Sequence, residues 1–115
     1  MVEKIILDYL NENLPEGVVA YMEHPEGEDP KRMVIVEKTS SSEYDLVQTS
    51  MLAVQSYGPT LYEAALLNET VKGIMREAAR LPGISSCKIN TDYNYTNSVT
   101  KEYRYQAVFD VVTHI

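Results

Sequence analysis

The spacing of apolar residues along the chain predicts two helices. In the first segment apolar residues recur at helical spacing and form one stripe of a short amphipathic helix, namely Val2, Ile5, Ile6, Tyr9 and Leu10. Pro15 ends that helix, because proline disfavours helical geometry at the residue before it. The second helix is predicted to begin at Thr60, since the run TLYE from that residue matches a capping box.

Short apolar or alternating runs predict strands between and after these helices. Residues 24–32 are predicted to form an exposed acidic loop, because prolines, a glycine and acidic residues leave little to bury. The polar run TSSSE, residues 39–43, is predicted to be a second loop. The longest strand has apolar residues at both odd and even positions, so it is predicted to lie in the middle of a sheet. The five predicted strands are residues 18–23, 33–38, 44–57, 84–95 and 101–113.

The predicted elements follow the order α-β-β-β-α-β-β in a single domain, residues 1–115. A mostly antiparallel sheet of about four to five strands with two helices on one face buries the apolar stripes of both helices. The fold class is therefore α/β in content and α+β in arrangement. No apolar run approaches the roughly 18 residues that span a bilayer, so no membrane partner is expected.

Charge and cysteine content narrow the classes of function. The chain has 10 basic and 17 acidic residues, a net charge of −7. A phosphate-binding surface is not expected, because duplex affinity comes largely from Lys and Arg. The single cysteine, Cys87, excludes an internal disulfide and a cysteine-only zinc site. Its position on the same strand face as Ile89 predicts a small buried side chain.

Residue patterns typical of catalysis, cofactors or metals are sparse. The five glycines are scattered, so the sequence contains neither a P-loop nor a dinucleotide fingerprint. The two histidines are His24, in the acidic loop, and His114. Carboxylates near His24 are possible metal ligands, but their spacing matches no known cage, and we interpret the loop as solvated. We therefore expect no enzymatic activity, no cofactor and no metal site.

Tyrosine is the unusual feature of the composition, with nine tyrosines, one phenylalanine and no tryptophan. Tyr93, Tyr95, Tyr103 and Tyr105 fall near the open end of the predicted closing hairpin, all on one face by residue parity. Tyrosine suits a protein interface, because it buries area while its hydroxyl keeps a polar partner. The same rings would also serve as the margin of the sheet's own core, and parity does not decide between the two interpretations.

Residues 53–58 (AVQSYG), followed by a helix with the run YEAA from Tyr62, resemble the tail terminator and minor tail proteins of long-tailed bacteriophages and prophages. The order of elements agrees with this resemblance. An N-terminal helix ending in Leu-Pro precedes a pair of strands, the QSYG strand and an alanine-rich helix. A tyrosine-rich hairpin with the run YRYQAVF, residues 103–109, closes the chain. The likeness spans nearly the whole chain.

The resemblance implies structural work in virion assembly. Such proteins form a six-membered ring on the end of a completed tail tube, stop its growth and present a surface for head joining. The implied partners are other copies of the chain in a hexamer, the tail tube protein and the head–tail connector protein. The implied location is the virion tail or neck, with assembly in the host bacterial cytoplasm. Tyr93, Tyr95, Tyr103 and Tyr105 are the candidate contacts between copies.

DNA would pass through such a ring without specific binding. Six copies at −7 carry a formal charge of 6 × −7 = −42, which repels the phosphate backbone. The candidates for lining the lumen or facing a partner are Glu26, Glu28 and Asp29 of the acidic loop, and the hairpin turn around Asn97.

The alternative class is a small-molecule-binding or regulatory α+β domain in which the tyrosines line a pocket. A pocket requires polar groups that converge at strand ends. A ring requires apolar or tyrosine patches that a monomer leaves exposed to water. An enzyme ranks third, because no nucleophile, base and orienting group converge in the sequence.

Overall fold

The computed structural model describes residues 1–114 and has the predicted order of elements. Its five strands form one sheet in the order β1-β2-β3-β5-β4, in which only β1 and β2 are parallel. The α+β prediction is thereby confirmed, and β3 lies at the centre of the sheet as predicted. The elements are helix α1 (Val2–Asn13), strands β1 (Val19–Tyr21), β2 (Met33–Tyr44) and β3 (Val47–Tyr57), helix α2 (Leu61–Arg76), a 3-10 turn (Ala78–Arg80), and strands β4 (Ile84–Asn94) and β5 (Arg104–His114).

Both helices cover the same face of the sheet, here named the helix face. The other face, the open face, has a smaller cluster of Met33, Ile35 and Tyr57, against which Tyr21 packs. Alternation along β3 places its even-numbered core residues on the helix face and Tyr57 on the open face. The core of the helix face consists of Val2, Ile6, Leu10, Ala20, Val34, Val36, Leu52, Val54, Leu67, Val71, Met75, Ala78, Ile84, Ala107, Phe109 and Val111.

The start of α2 is capped as its sequence predicts. The Thr60 hydroxyl accepts a hydrogen bond from the Glu63 backbone amide at 3.1 Å, which satisfies one of the free N–H groups of the first turn. The helix axis then carries Ala64 over the end of β3. A Cβ atom added at Gly58 would lie 2.6 Å from the Ala64 nitrogen, so only glycine permits this close approach.

Residues 39–43 are strand, and the predicted loop there is wrong. β2 continues to Tyr44, and a two-residue turn at Asp45 and Leu46, with φ of 51° and 67°, returns the chain into β3. Antiparallel pairing satisfies backbone groups whatever the side chains are, and β3 supplies partners along the whole segment. The polar side chains of this segment are exposed, so its composition reflects contact with water rather than absence of a strand.

A β-bulge in β4 reverses the face that its second half presents. Cys87 and Ile89 pair with Val111 and Phe109 of the helix face. The register then shifts between Ile89 and Thr91, which leaves Asn90 as the extra residue. Beyond the bulge, residue 92 points to α2 and residue 93 points to the open face.

Candidate functional site

The runs QSYG and YRYQ lie side by side on neighbouring strands. Gln55 pairs with Gln106, and Tyr57 pairs with Arg104, in the antiparallel ladder of β3 and β5. The Gly58 amide extends the ladder by donating to the Tyr103 carbonyl at 3.2 Å. Two segments that are separated by 45 or more positions in the sequence thus build one end of the sheet, here named the Tyr57 end.

A chain of side-chain hydrogen bonds crosses the open face at this end. The Arg104 guanidinium donates to the Tyr57 hydroxyl at 3.0 Å, and that hydroxyl donates to Gln55 Oε1 at 2.9 Å. Gln55 Nε2 donates to Gln106 Oε1 at 2.9 Å, and Gln106 Nε2 contacts the Tyr93 hydroxyl. Burial raises the pKa of Tyr57, an effect that Arg104 opposes, so the phenol stays neutral and able to donate.

Arg104 also fixes the aromatic rings at the edge of this network. Its Nε donates to the Tyr95 carbonyl at 2.7 Å, and its guanidinium carbon lies 4.5 Å from the centre of the Tyr95 ring. The Tyr93 and Tyr95 rings meet edge to face, with centres 5.8 Å apart. Both rings remain about two-fifths exposed, at 41% and 42%. The result is a rigid, half-exposed aromatic patch on the open face, here named the tyrosine patch.

The acidic loop docks on the same face through a histidine. His24 Nδ1 lies 2.8 Å from Asp29 Oδ2, and His24 Nε2 lies 3.4 Å from the Tyr57 hydroxyl. The His24 and Tyr57 rings meet at 81° with centres 5.6 Å apart. Within residues 1–114 no three His, Cys, Asp or Glu side chains cluster as metal ligands would. The loop residues thus lie against the network.

The four tyrosines do not share one face, and the parity prediction is wrong. Tyr93 and Tyr95 form the tyrosine patch on the open face. Tyr105 shares the parity of Ala107 and lines a cleft with α2 residues on the helix face. Tyr103 lies at the strand end beside Pro59. The physical cause is the bulge at Asn90, which shifts the parity of β4 relative to β5.

The two lumen candidates are neighbours at the Tyr57 end. A cleft of about 200 Å³ there is lined from one side by Asp29 of the acidic loop and from the other by Lys101 and Glu102 of the hairpin turn. Glu26 and Glu28 are exposed on the loop. Asn97 pairs with Glu102 across the turn, and its side chain accepts from the Val99 amide at 3.1 Å.

Sequence reasoning missed the glutamines and Arg104 as members of a site. The available signal was a polar side chain inside an otherwise apolar strand, because a buried Gln needs a hydrogen-bond partner. Gln55 is only 8% exposed and interrupts the apolar run of β3. The partner lies 51 positions away, and only the pairing of β3 with β5 identifies it.

Cys87 packs against the core but is only half-buried, whereas a buried side chain was predicted. Its thiol is half-buried against the core of the helix face, and burial raises its pKa to about 11. A thiol with so high a pKa is almost wholly protonated near neutral pH.

Comparison with known proteins gives no significant match to a protein-family model or to a curated protein. Among residues 1–114, no helix is long and apolar enough to cross a membrane.

Proposed function

We propose that the protein is a structural virion assembly protein that forms a ring at the end of a phage tail tube, stops tube growth and joins the tail to the head. The observation that carries the proposal is the pairing of Gln55-Ser56-Tyr57-Gly58 with Tyr103-Arg104-Tyr105-Gln106. These are the motifs on which the resemblance to tail terminators rests. Their pairing brings both motifs to one end of the sheet.

The character of this surface supports an interface role. The tyrosine patch is held by Arg104, so its rings lose little conformational freedom when a partner covers them. Aromatic side chains and arginine are also enriched where proteins meet. The proposed ring uses the tyrosine patch in contacts between copies, with Tyr103 and Tyr105 at the adjoining strand end.

The alternative, a small-molecule-binding domain, is favoured by two clefts that flank α2. One, of about 350 Å³, is lined by Leu66, Leu67 and Arg32, and the other, of about 280 Å³, by Tyr62, Asn68 and Tyr105. Their volumes are at or near the lower limit of about 300 Å³ for small-molecule sites.

The solution mass tests the proposal directly. Light scattering on the purified chain is expected to give a mass six times 13.0 kDa, and negative-stain class averages are expected to show six-fold rings with a central hole. A monomer at every concentration up to the solubility limit would overturn the proposal and favour the binding domain.

A charge placed in the tyrosine patch tests which surface is used. Tyr95→Glu is expected to weaken assembly, because it puts a charged carboxylate into the proposed contact between copies. The fold is expected to remain intact, because Arg104 of the same chain can pair with that carboxylate. Tyr62→Glu is the matched control, since Tyr62 is 74% exposed on the helix side. Equal assembly by both variants, with unchanged thermal melts, would remove the tyrosine patch from the interface.

A further inference from the structure

Both lateral edges of the sheet are open in the part of the chain that the structure describes. β1 pairs only with Met33–Ile35 of β2, so β2 has no strand on its outer side from Val36 to Tyr44. β4 is the outermost strand at the other edge and pairs only with β5. An open edge presents a row of free N–H and C=O groups, which is a template for another strand.

The two open edges match each other in spacing and do not match a regular strand. A row is here the set of residues that pair with one another across the sheet. Between the row of Thr49 and Val112 and the row of Ala53 and Val108, β3 advances by four residues (49 to 53) and β5 also by four (112 to 108). Over the same two rows β2 takes five steps (42 to 37) and β4 also takes five (86 to 91). Each edge carries a bulge beside the row of Leu52 and Phe109. The extra residue of β2, Thr39, lies on the Met51 side of that row, and the extra residue of β4, Asn90, lies on its Val108 side. β4 has a second bulge between Ile84 and Ser86, outside these rows.

This match selects the partner. A bulge normally discourages pairing with a passing strand, because the extra residue shifts the register. β2 and β4 each fit one extra residue between the same two rows, so Ser42 stays level with Ser86 at one end of this interval and Glu37 with Thr91 at the other. The edge that fits β2 is therefore the β4 edge of a second copy of this chain.

Strand direction agrees with this pairing. β2 is antiparallel to β3, β3 to β5, and β5 to β4, so β2 and β4 run in opposite directions within one sheet. A copy placed beside another by rotation about an axis along the strands brings β4 of one next to β2 of the other, antiparallel. The contact joins two different surfaces, which is what a closed ring requires.

The charges on the two edges are complementary on the open face. Glu37 pairs with Ala53 on that face, and Lys88, next to Cys87 of the helix face, also points to it. Both side chains are exposed, and neither makes an ion pair with another residue of the described chain. Their rows are two apart, the diagonal separation that long side chains span between strands.

We propose that residues 37–42 of β2 in one copy pair antiparallel with residues 86–91 of β4 in the next, so that the sheets of all copies join into one closed ring. This inference rests on the proposed ring and names its contact surface. The pairing ends where β1 begins on β2, at the Ile35 row, which is also the row of Tyr93.

Amide hydrogen exchange on the full chain tests the pairing at concentrations where light scattering reports assembled and dissociated protein. The amides of residues 37–42 and 86–91 are expected to exchange more slowly in the assembly, whereas β3 and β5, already paired on both sides, serve as the internal control. Assembly without slower exchange at these two edges would overturn the pairing and leave the proposed ring standing. Failure to assemble at all would overturn both.

A charge exchange provides the second test. Glu37→Lys and Lys88→Glu are each expected to raise the concentration of half-assembly about two- to tenfold, because each places like charges across the contact. The double variant is expected to restore native assembly. Glu12→Lys, an exposed reversal on α1, is the matched control. Double-variant assembly no better than that of the weaker single variant would contradict the proposed contact.

Discussion

At the scale of the residue, Gly58 sets the distance between the central strand and the helix that follows it. Its hydrogen lies where a Cβ would come within 2.6 Å of the Ala64 nitrogen and 2.9 Å of the Glu63 carbonyl carbon, both backbone atoms of α2. Gly58→Ala is therefore expected to destabilise the fold by about 1–3 kcal/mol, because backbone atoms cannot move aside as a flexible side chain does. Urea unfolding measures this change.

Gly73→Ala is the matched control for that substitution. Gly73 lies inside α2, and a Cβ there meets nothing nearer than the flexible end of Arg76 at 4.0 Å. Alanine is the better helix former, so this variant is expected to gain about 0.5–1 kcal/mol. If Gly58→Ala is no less stable than Gly73→Ala, the close approach of β3 and α2 does not restrict residue 58 to glycine.

Residue patterns predicted which side chains share a strand face but not which side chains of different strands and loops meet. Alternation in β3 correctly separated Val54 from Tyr57, because a strand has a fixed period of two. The contacts of Tyr57 with Arg104 and His24 join positions 47 and 33 residues away. Such contacts depend on strand order and loop docking, which a local pattern does not contain.

At the scale of the element, the bulge in β4 creates a clamp between that strand and α2. It turns Asp92 toward the helix, where the carboxylate accepts from Lys72 Nζ at 3.0 Å and from Asn68 Nδ2 at 2.9 Å. The hydrogen bond from Lys72 lowers the pKa of Asp92, and the bond to Asp92 raises the pKa of Lys72. Asn68 is 1% exposed, so the clamp reaches into the core.

Asp92→Asn is expected to cost about 1–2 kcal/mol near pH 7, because two hydrogen bonds lose their charged acceptor. The folded-state pKa of Asp92 lies below its ordinary value of 3.8, so the stabilisation is present above pH 3.8 and is lost as the pH falls through the folded value. The difference in unfolding free energy between native protein and variant should therefore shrink below pH 3.8. Asp110→Asn on β5, tested in parallel, should cost less than about 0.5 kcal/mol.

Element order was predictable, whereas the bulges and the length of β2 were not. Caps, breakers and alternation are local signals, and they located both helices and the central strand. The segment 39–43 lacks any apolar pattern, and its strand conformation comes from its partner β3. The extra residue Asn90 carries no sequence signal of its own, so parity counted through it assigned Tyr93 and Tyr105 to the same face.

At the scale of the whole molecule, the order of strands follows from which strands are apolar on both faces. β5 has Phe109 and Val111 on the helix face and Val108 and Val112 on the other, and it lies inside the sheet next to β3. β4 is mostly exposed and lies at the edge. The same argument that placed β3 at the centre therefore applies to β5, which lies inside the sheet beside β3.

The charge of the proposed ring leads to a prediction about DNA. The acidic loop and the hairpin turn lie together at the Tyr57 end. If one of them lines the lumen of the proposed ring, the other therefore lies close to the lumen as well. The loop has three acids, Glu26, Glu28 and Asp29, against two bases, Lys31 and Arg32. In the turn, Lys101 is balanced by Glu102. An acidic or neutral rim repels phosphates and lets a duplex slide. Native protein is therefore expected to cause no retardation of linear duplex DNA at about 50 mM salt, where phosphate contacts are strongest.

A charge-reversed rim makes this prediction specific to the lumen. A variant with Glu26→Lys and Glu28→Lys turns two exposed acids at the Tyr57 end into bases, and Asp8→Lys with Glu12→Lys on α1 makes the same change of charge elsewhere. If the loop lines the hole of the ring, the rim variant should retard linear duplex DNA in a salt-sensitive manner. It should not retard covalently closed circles, because a circle has no end that can enter the ring. The α1 variant should not distinguish linear from circular DNA. Salt-sensitive retardation by the native protein would instead mean that the chain grips nucleic acid, and the repulsive lumen would have to be abandoned.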